Sequence, residues 1–209
     1  GGSLARRAQA TPDAPALLAP GRAPLCFADL QREACGIAAA LAASGFASGD
    51  RVAIVQPDAA QMALAFLGVT ALATAAPLNP AYLAKEFDFY LSDLNAKVLI
   101  APQGNHACRE AASALGIPVV EMAELRTGEP AALRSATPSD EALVLHTSGT
   151  TSRPKLVPLT HANLCHSSYN VAAALQLQPS DRCLNVMPLF HIHGLVAALM
   201  ASLSAGASV

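Results

Sequence analysis

The stretch LHTSGTTSRPK, residues 145–155, decides the fold, because it links two short apolar runs and carries the most distinctive chemistry of the chain. The runs at 142–145 and 156–159 have the length and composition of strands, which makes the intervening stretch a loop between two strands. Gly149 permits a sharp turn, and the hydroxyl residues around it add side-chain donors to a run of backbone N–H groups. Such a concave run binds anions, and Lys155 adds a positive charge at its end. The sequence therefore predicts a binding loop for phosphate oxygens.

Two other interpretations of this loop are weaker. A Walker A loop would end in glycine, lysine and a hydroxyl residue, whereas Pro154 directly precedes Lys155 here, which disfavours a kinase or GTPase. A plain solvated turn is the second alternative, since clusters of Ser, Thr and Gly are usually loops. The preceding strand, the basic end and the order of the residues favour phosphate binding.

The residues before the loop alternate between predicted strands and predicted helices. This alternation indicates an α/β fold with a largely parallel sheet covered by helices on both faces. One apolar stripe, formed by Leu83, Phe87, Tyr90, Leu91 and Leu94, marks the clearest helix. Residues 1–3 are predicted to be a flexible lead-in, 11–24 irregular and 124–140 a linker. Strands are predicted at 51–55, 74–78, 97–101, 117–120 and 182–187, and helices at 27–41, 58–72, 83–94, 105–115, 160–175 and 193–203.

Composition excludes several classes of function. Apolar residues make up 53% of the 209 residues and charged residues 13%, which favours a folded core over disorder. A formal net charge of −2 offers no general attraction to nucleic acid. The two longest uncharged stretches contain proline, asparagine or histidine, so no integral membrane segment is expected. The five cysteines lack a CxxC pair, which predicts reduced thiols and a cytoplasmic location.

A second motif, MPLFHIHG at 187–194, contains the pair His191 and His193. Alternate residues of a strand point the same way, and imidazole is a common zinc ligand, so the pair could bind a metal. No third ligand has a convincing spacing, and no metal site is predicted. A purely structural role for both histidines is the other alternative.

Together, the two motifs resemble those of the adenylate-forming enzymes, the superfamily of AMP-dependent synthetases and ligases. The resemblance extends from about Thr11 to Val209 and is greatest for acyl-CoA synthetases of the oxalate–CoA ligase type. It implies catalytic roles for Lys155 and His191, and contact of His191 with the acid substrate. From the His-x-His-Gly string, His193 is expected to bind a small polar acid. The resemblance further implies ATP-phosphate binding by Thr147, Ser148, Gly149, Thr150, Thr151, Ser152 and Lys155.

The resemblance also implies a reaction in two steps. An acid carboxylate attacks the α-phosphorus of ATP, accompanied by Mg²⁺, to give an acyl-adenylate, and the thiol of coenzyme A then displaces AMP. Residues 1–209 would be a partial amino-terminal domain that binds ATP and a small carboxylic acid, without the carboxy-terminal domain and unable to turn over alone. Oxalate is the expected acid. The alternatives are an aryl- or fatty-acid–CoA ligase, an amino-acid adenylation domain, or a noncatalytic nucleotide-binding module.

The loop departs from the family pattern at two positions. Many members have glycine where Ser152 and Leu156 stand. Ser152 followed by Arg153 resembles the oxalate–CoA ligase branch, although both residues could equally be exposed loop residues without phosphate contact. Leucine disfavours positive φ, so Leu156 leaves the conformation of the loop exit open.

Overall fold

A central β-sheet organises the chain. The computed structural model describes residues 2–126, 136–147 and 154–209, and residues 2 and 3 are described by their backbone alone. Within these ranges a six-stranded sheet has the order β6-β5-β3-β4-β7-β8, and a two-stranded antiparallel sheet contains β1 and β2. The strands are β1 Pro15–Leu17, β2 Leu25–Cys26, β3 Arg51–Ile54, β4 Thr74–Pro77, β5 Val98–Ala101, β6 Val119–Glu121, β7 Glu141–His146 and β8 Leu156–Thr160.

Helices connect the parallel strands and cover the sheet. Pairing is parallel from β6 through β7, and only β8 runs antiparallel, against β7. The predicted α/β class with a largely parallel sheet is confirmed. The α-helices are α1 Gly2–Ala10, α2 Phe27–Ala43, α3 Ala59–Val69, α4 Ala84–Leu94, α5 Ala107–Ala114, α6 Met122–Leu125, α7 His161–Ala174 and α8 Ala201–Ala205, with a π-helix at His193–Met200 before the last.

The strands bury side chains on both faces, because successive residues of a strand point in opposite directions. In β3, Val52 and Ile54 pack in the core beneath α2 and α3, whereas Ala53 packs in the core beneath α4 and α5. The same alternation holds in β5, where Leu99 faces α4 and Ile100 faces the opposite side. Helices therefore cover both faces of the sheet, as predicted.

Local capping sets the ends of several helices. The Asp58 carboxylate accepts the backbone N–H of Gln61 at 2.8 Å at the start of α3, and the Thr160 hydroxyl accepts that of Asn163 at 3.2 Å at the start of α7. Helix α4 ends where Asn95 adopts a left-handed conformation with φ 49°. These caps place the helix ends close to the predicted limits.

Four predictions near surface segments were wrong in whole or in part. Residues 2 and 3 lie in α1, which the sequence interpretation missed, and β1 lies inside the segment expected to be irregular. Helix α6 begins at Met122 and extends into the expected linker, of which residues 127–135 are outside the described ranges. Leu83 is 72% exposed and precedes α4, so it does not belong to the apolar stripe of that helix.

The expected strand at 182–187 was also wrong. Among the described residues, this segment has one isolated bridge, between Arg182 and Ser208. The expected helix at 193–203 exists, but its first eight residues are π-helical and α8 continues to Ala205. Within the described part of the chain, no helix is both long and apolar enough to cross a membrane.

Candidate active site

The mouth of the predicted phosphate loop is a short extension of the β7–β8 hairpin. The strands pair up to His146 and Leu156. Beyond that pair, the backbone N–H of Thr147 donates to the carbonyl oxygen of Lys155 at 2.9 Å, and the N–H of Lys155 donates to the Thr147 hydroxyl at 3.3 Å. These bonds fix the first and last predicted binding residues side by side. The strands flanking the loop are confirmed.

The interior of the loop lies outside the described residues. It comprises Ser148, Gly149, Thr150, Thr151, Ser152 and Arg153. Their phosphate contacts stay predictions. The described side chains at the mouth, Thr147 and Lys155, are both exposed, as a ligand-binding group must be before its ligand arrives.

The position of the hairpin follows from the sheet. Strand β7 pairs in parallel with β4, with Leu143 opposite Ala75. The loop therefore leaves the sheet at the edge where all the parallel strands have their carboxyl ends. Ligands of open α/β sheets bind at this edge.

A buried histidine supports the loop from below, and the sequence interpretation did not assign it a role. His146 is the last residue of β7, and its Nε2 lies 3.1 Å from the Asp93 carboxylate of α4. The ring of Tyr90 meets the imidazole edge to face with ring centres 4.7 Å apart. Only 6% of the His146 side chain is exposed. The residue immediately before the loop is thus fixed to α4 by a hydrogen bond and an aromatic contact.

Burial decides the protonation of His146. It lowers the pKa of the imidazole below its usual value, and this effect exceeds the opposite effect of the Asp93 carboxylate. A neutral imidazole meets a carboxylate by donating its Nε2 hydrogen, so the contact is a hydrogen bond rather than an ion pair near neutral pH. Tyr82 stacks on Tyr90 with ring centres 4.6 Å apart, and burial raises the pKa of the Tyr82 phenol.

The second motif forms a tight turn in front of the π-helix. The backbone N–H of His191 donates to the carbonyl oxygen of Pro188 at 3.1 Å, and its carbonyl oxygen accepts the N–H of Leu195 at 3.1 Å. A Cβ atom on Gly194 would lie 2.6 Å from the Pro188 carbonyl oxygen, so only glycine fits there without a backbone shift. His191 is exposed on this turn, and His193, the first residue of the π-helix, is also exposed.

The structure brings together only some of the predicted residues. Thr147 and Lys155 are hydrogen-bonded neighbours. Within the described ranges, no hydrogen bond or ring contact joins either of them to His191 or His193. In the same part of the chain, no group of three or more His, Cys, Asp or Glu side chains could hold a metal ion.

Comparison with known proteins identifies the family to which this arrangement belongs. The family model described as AMP-binding enzyme matches residues 4–209. The chain belongs to this family. The match confirms the family that the two sequence motifs indicated, while the roles of the individual residues in those motifs stay predictions.

Relatives within the AMP-binding family include ligases of small acids. The chain is 48% identical over 182 residues to the oxalate–CoA ligase of Arabidopsis thaliana, covering 79% of this chain and 35% of that protein. It is 38% identical over 200 residues to the oxalate–CoA ligase of Saccharomyces cerevisiae, covering 77% of this chain and 36% of that protein. The chain thus spans about a third of the length of these relatives.

Solved structures show the same fold. The ATP-bound MatB of Rhodopseudomonas palustris superposes with a TM-score of 0.89 at 27% identity, covering 99% of this chain and 44% of that one. The adenylate-forming architecture expected from the two motifs is therefore confirmed for the described residues.

Proposed function

We propose that this chain is the ATP- and acid-binding part of an AMP-forming acid–CoA ligase that acts on a small dicarboxylate, with oxalate as the favoured acid. The observation that carries the proposal is the hairpin mouth at which Thr147 and Lys155 hold the hydroxyl-rich loop at the carboxyl edge of the sheet. Membership of the AMP-binding family and similarity to two oxalate–CoA ligases support it.

Adenylation is a suitable chemistry for such a site. A carboxylate is a poor electrophile, and transfer of AMP to it supplies a better leaving group for attack by the thiol of coenzyme A. The protein contributes mainly the positioning of the reactants and the stabilisation of charge. In the proposed first step, the acid carboxylate attacks the α-phosphorus of ATP and pyrophosphate leaves.

The loop residues have the proposed task of holding the departing phosphates. Thr147, Lys155 and the loop between them would donate hydrogen bonds to oxygens of the pyrophosphate group, with the ammonium of Lys155 neutralising charge. Magnesium enters this proposal as part of the Mg·ATP substrate, because the described residues form no cluster that would hold a metal by themselves.

The two exposed histidines have the proposed task of binding the acid. His191 would lie beside the reacting carboxylate, and His193 beside the second carboxylate of a dicarboxylic acid. The close approach of Gly194 to Pro188 fixes the turn that carries His191 directly before the π-helix, and His193 is the first residue of that helix. A cytoplasmic location is proposed because all five cysteines are free thiols.

Acid-dependent exchange of labelled pyrophosphate into ATP tests the proposal. The full-length protein that carries these residues would be offered oxalate, malonate, a medium-chain fatty acid and coumarate. We expect exchange with oxalate. Lys155→Ala should lower the exchange rate by about 10²-fold, the usual effect of losing one charge-stabilising donor. Exchange that depends on coumarate or the fatty acid alone would overturn the dicarboxylate assignment.

His193→Ala tests the assignment of the second carboxylate. Loss of a hydrogen bond to a charged group should raise the apparent KM for oxalate by about tenfold to 10²-fold. The matched control is His166→Ala, because His166 is also exposed but lies on α7. Equal KM values for oxalate in the two variants would show that His193 does not bind the acid. A folded protein that binds ATP but exchanges pyrophosphate with none of the four acids would contradict the ligase proposal.

A further inference from the structure

A second cleft lies at the carboxyl edge of the sheet, at the ends of β3, β5 and β6. Its volume is about 360 Å³, within the range of small-molecule sites. The chain passes from β3 to β4 on one side and then returns to place β5 on the other side of β3. The connections that leave β3 and β5 therefore run towards opposite sides of the sheet. Open α/β sheets form their ligand crevices at such a switch point. The cleft is lined by Gln56, Pro57, Gln61, Pro102, Gln103 and Met122, among others.

Gln56 is the residue of this cleft that points to a ligand. It lies one residue beyond Val55, which follows the end of β3 at Ile54, and it is only 4% exposed. Its Nε2 is buried, and it has no hydrogen-bond partner among the described residues. An unpaired buried amide destabilises a fold, so a residue of this kind calls for an explanation. Rotation about the last side-chain torsion, which is soft in glutamine, would turn the Nε2 group towards a ligand in the cleft.

The charged residues that line the cleft each have an oppositely charged partner outside the lining. Among the described residues of the lining, no carboxylate or guanidinium group is therefore left unpaired to neutralise a charged ligand. This pairing favours an uncharged ligand, because transfer of an ion into a partly buried cleft without a partner is unfavourable. The pairs are Asp58 with Arg22, Glu121 with Arg109, and Arg126 with Glu33.

We propose that this cleft binds a neutral, planar small molecule with a carbonyl oxygen next to an N–H group, the chemistry of uracil and nicotinamide. The carbonyl oxygen would accept from Gln56 Nε2. The side-chain amides of Gln61 and Gln103 offer acceptors and donors for the rest of the polar edge. Pro57, Pro102 and Met122 provide apolar walls for the flat faces. The residues that line the cleft belong to neither of the two motifs at 145–155 and 187–194, and the proposal does not depend on the ligase function.

Ligand-observed saturation-transfer NMR tests this site on the full-length protein, with uracil and nicotinamide as probes. We expect saturable binding with a Kd of about 1 mM, a reasonable affinity for ligands of this size. Gln56→Met keeps the length of the side chain but removes its amide, and it should weaken binding about tenfold. Ala123→Leu, at an exposed position of the cleft wall, should block binding without touching the core. The control Gln178→Met changes an exposed glutamine outside the cleft.

Urea unfolding adds a readout that separates a binding role from a structural one. Because Gln56→Met removes an unpaired buried amide, it should raise the urea midpoint of the ligand-free protein. A lower midpoint would show that Gln56 is needed for folding and would contradict the proposal. A cleft that contains only water would show no saturable binding of either probe. That result, or binding unchanged by both Gln56→Met and Ala123→Leu, would overturn the assignment.

Discussion

His146 connects the phosphate loop to the body of the protein through a single side chain. Its imidazole donates to Asp93, contacts Tyr90 and is almost fully buried, while the next residue, Thr147, closes the loop mouth. Because the residue before a loop sets its starting direction, we expect the identity of this side chain to affect the first residue of the loop, Thr147.

Because of His146, we expect the free energy of unfolding to fall as the pH is lowered. Burial lowers its pKa in the folded state, so the unfolded chain binds the proton more readily. The contribution of His146 to the free energy of unfolding is therefore fully present above the pKa of the unfolded chain, about 6.5. It is lost as the pH falls from there through the lower pKa of the folded state. His146→Gln should flatten the dependence of the urea midpoint on pH between about 7.5 and 5.5.

His161 contributes in the same direction, because burial also lowers its pKa. The single His146 variant should therefore remove only part of the pH dependence, and His146→Gln combined with His161→Gln should remove more. His166→Gln is the matched control, since that side chain is exposed. A pH dependence identical in His146→Gln and in the unchanged protein would contradict the assignment of a buried, neutral imidazole.

The residue-scale chemistry was only partly predictable from sequence. Thr147 and Lys155 could be placed at the loop mouth because the strands that flank them have clear apolar patterns. The roles of His146 and Gln56 could not be predicted, because each depends on a partner or a gap that arises far away in sequence. Asp93 lies 53 positions from His146, and the cleft beside Gln56 exists only once β5 and β6 are in place.

At the scale of elements, two glycines permit close packing at different places. Gly68 of α3 faces α2, where an added Cβ would lie 2.6 Å from the Ile37 side chain. Gly194 at the start of the π-helix faces the carbonyl oxygens of Met187 and Pro188. The first contact allows α2 and α3 to pack closely in the hydrophobic core, and the second allows the tight turn that carries His191.

We expect Gly194→Ala and Gly68→Ala each to lower the free energy of unfolding by about 1–3 kcal/mol, because each forces atoms apart in a packed region. Only Gly194→Ala should also raise the apparent KM for oxalate, since it displaces the His191 turn. Circular dichroism in urea and pyrophosphate exchange provide the two readouts. A KM raised equally by both variants would mean that general loss of stability, rather than the turn, accounts for the change.

Sequence patterns predicted elements well where a segment itself carries the apolar spacing of a helix. They predicted elements poorly where a strand would need a hydrogen-bonding neighbour that is distant in sequence. Helices α2 and α4 follow apolar spacing that each sequence segment carries in itself. The segment at 182–187 has the alternation of a strand, with Leu184 86% and Val186 79% exposed. Alternation alone does not supply a hydrogen-bonding neighbour, and within the described ranges this segment has only the Arg182–Ser208 bridge.

At the scale of the whole molecule, one ion pair ties three strands together at the edge opposite the phosphate loop. The Glu141 carboxylate of β7 accepts from Arg51 of β3 at 2.9 and 3.2 Å, across the intervening strand β4. The Glu141 backbone carbonyl accepts from the Thr74 hydroxyl of β4 at 2.9 Å. The two side chains of the pair are 26% and 25% exposed, so solvent screens them only in part.

This pair should matter more to global stability than an exposed pair on one helix. Glu141→Gln should lower the free energy of unfolding by about 1–2 kcal/mol, because it leaves the Arg51 guanidinium half-buried with a weaker acceptor. Arg32→Met, which removes an exposed guanidinium from the Asp29 pair within α2, should change stability much less. Urea unfolding followed by circular dichroism measures both. Unfolding of β3, β4 and β7 should also release the phosphate loop. The urea midpoint of Glu141→Gln should therefore fall by the same amount whether unfolding is monitored by circular dichroism or by the loss of ATP binding. A binding midpoint that stayed unchanged while the helical signal moved would show that the loop and the opposite edge of the sheet unfold independently.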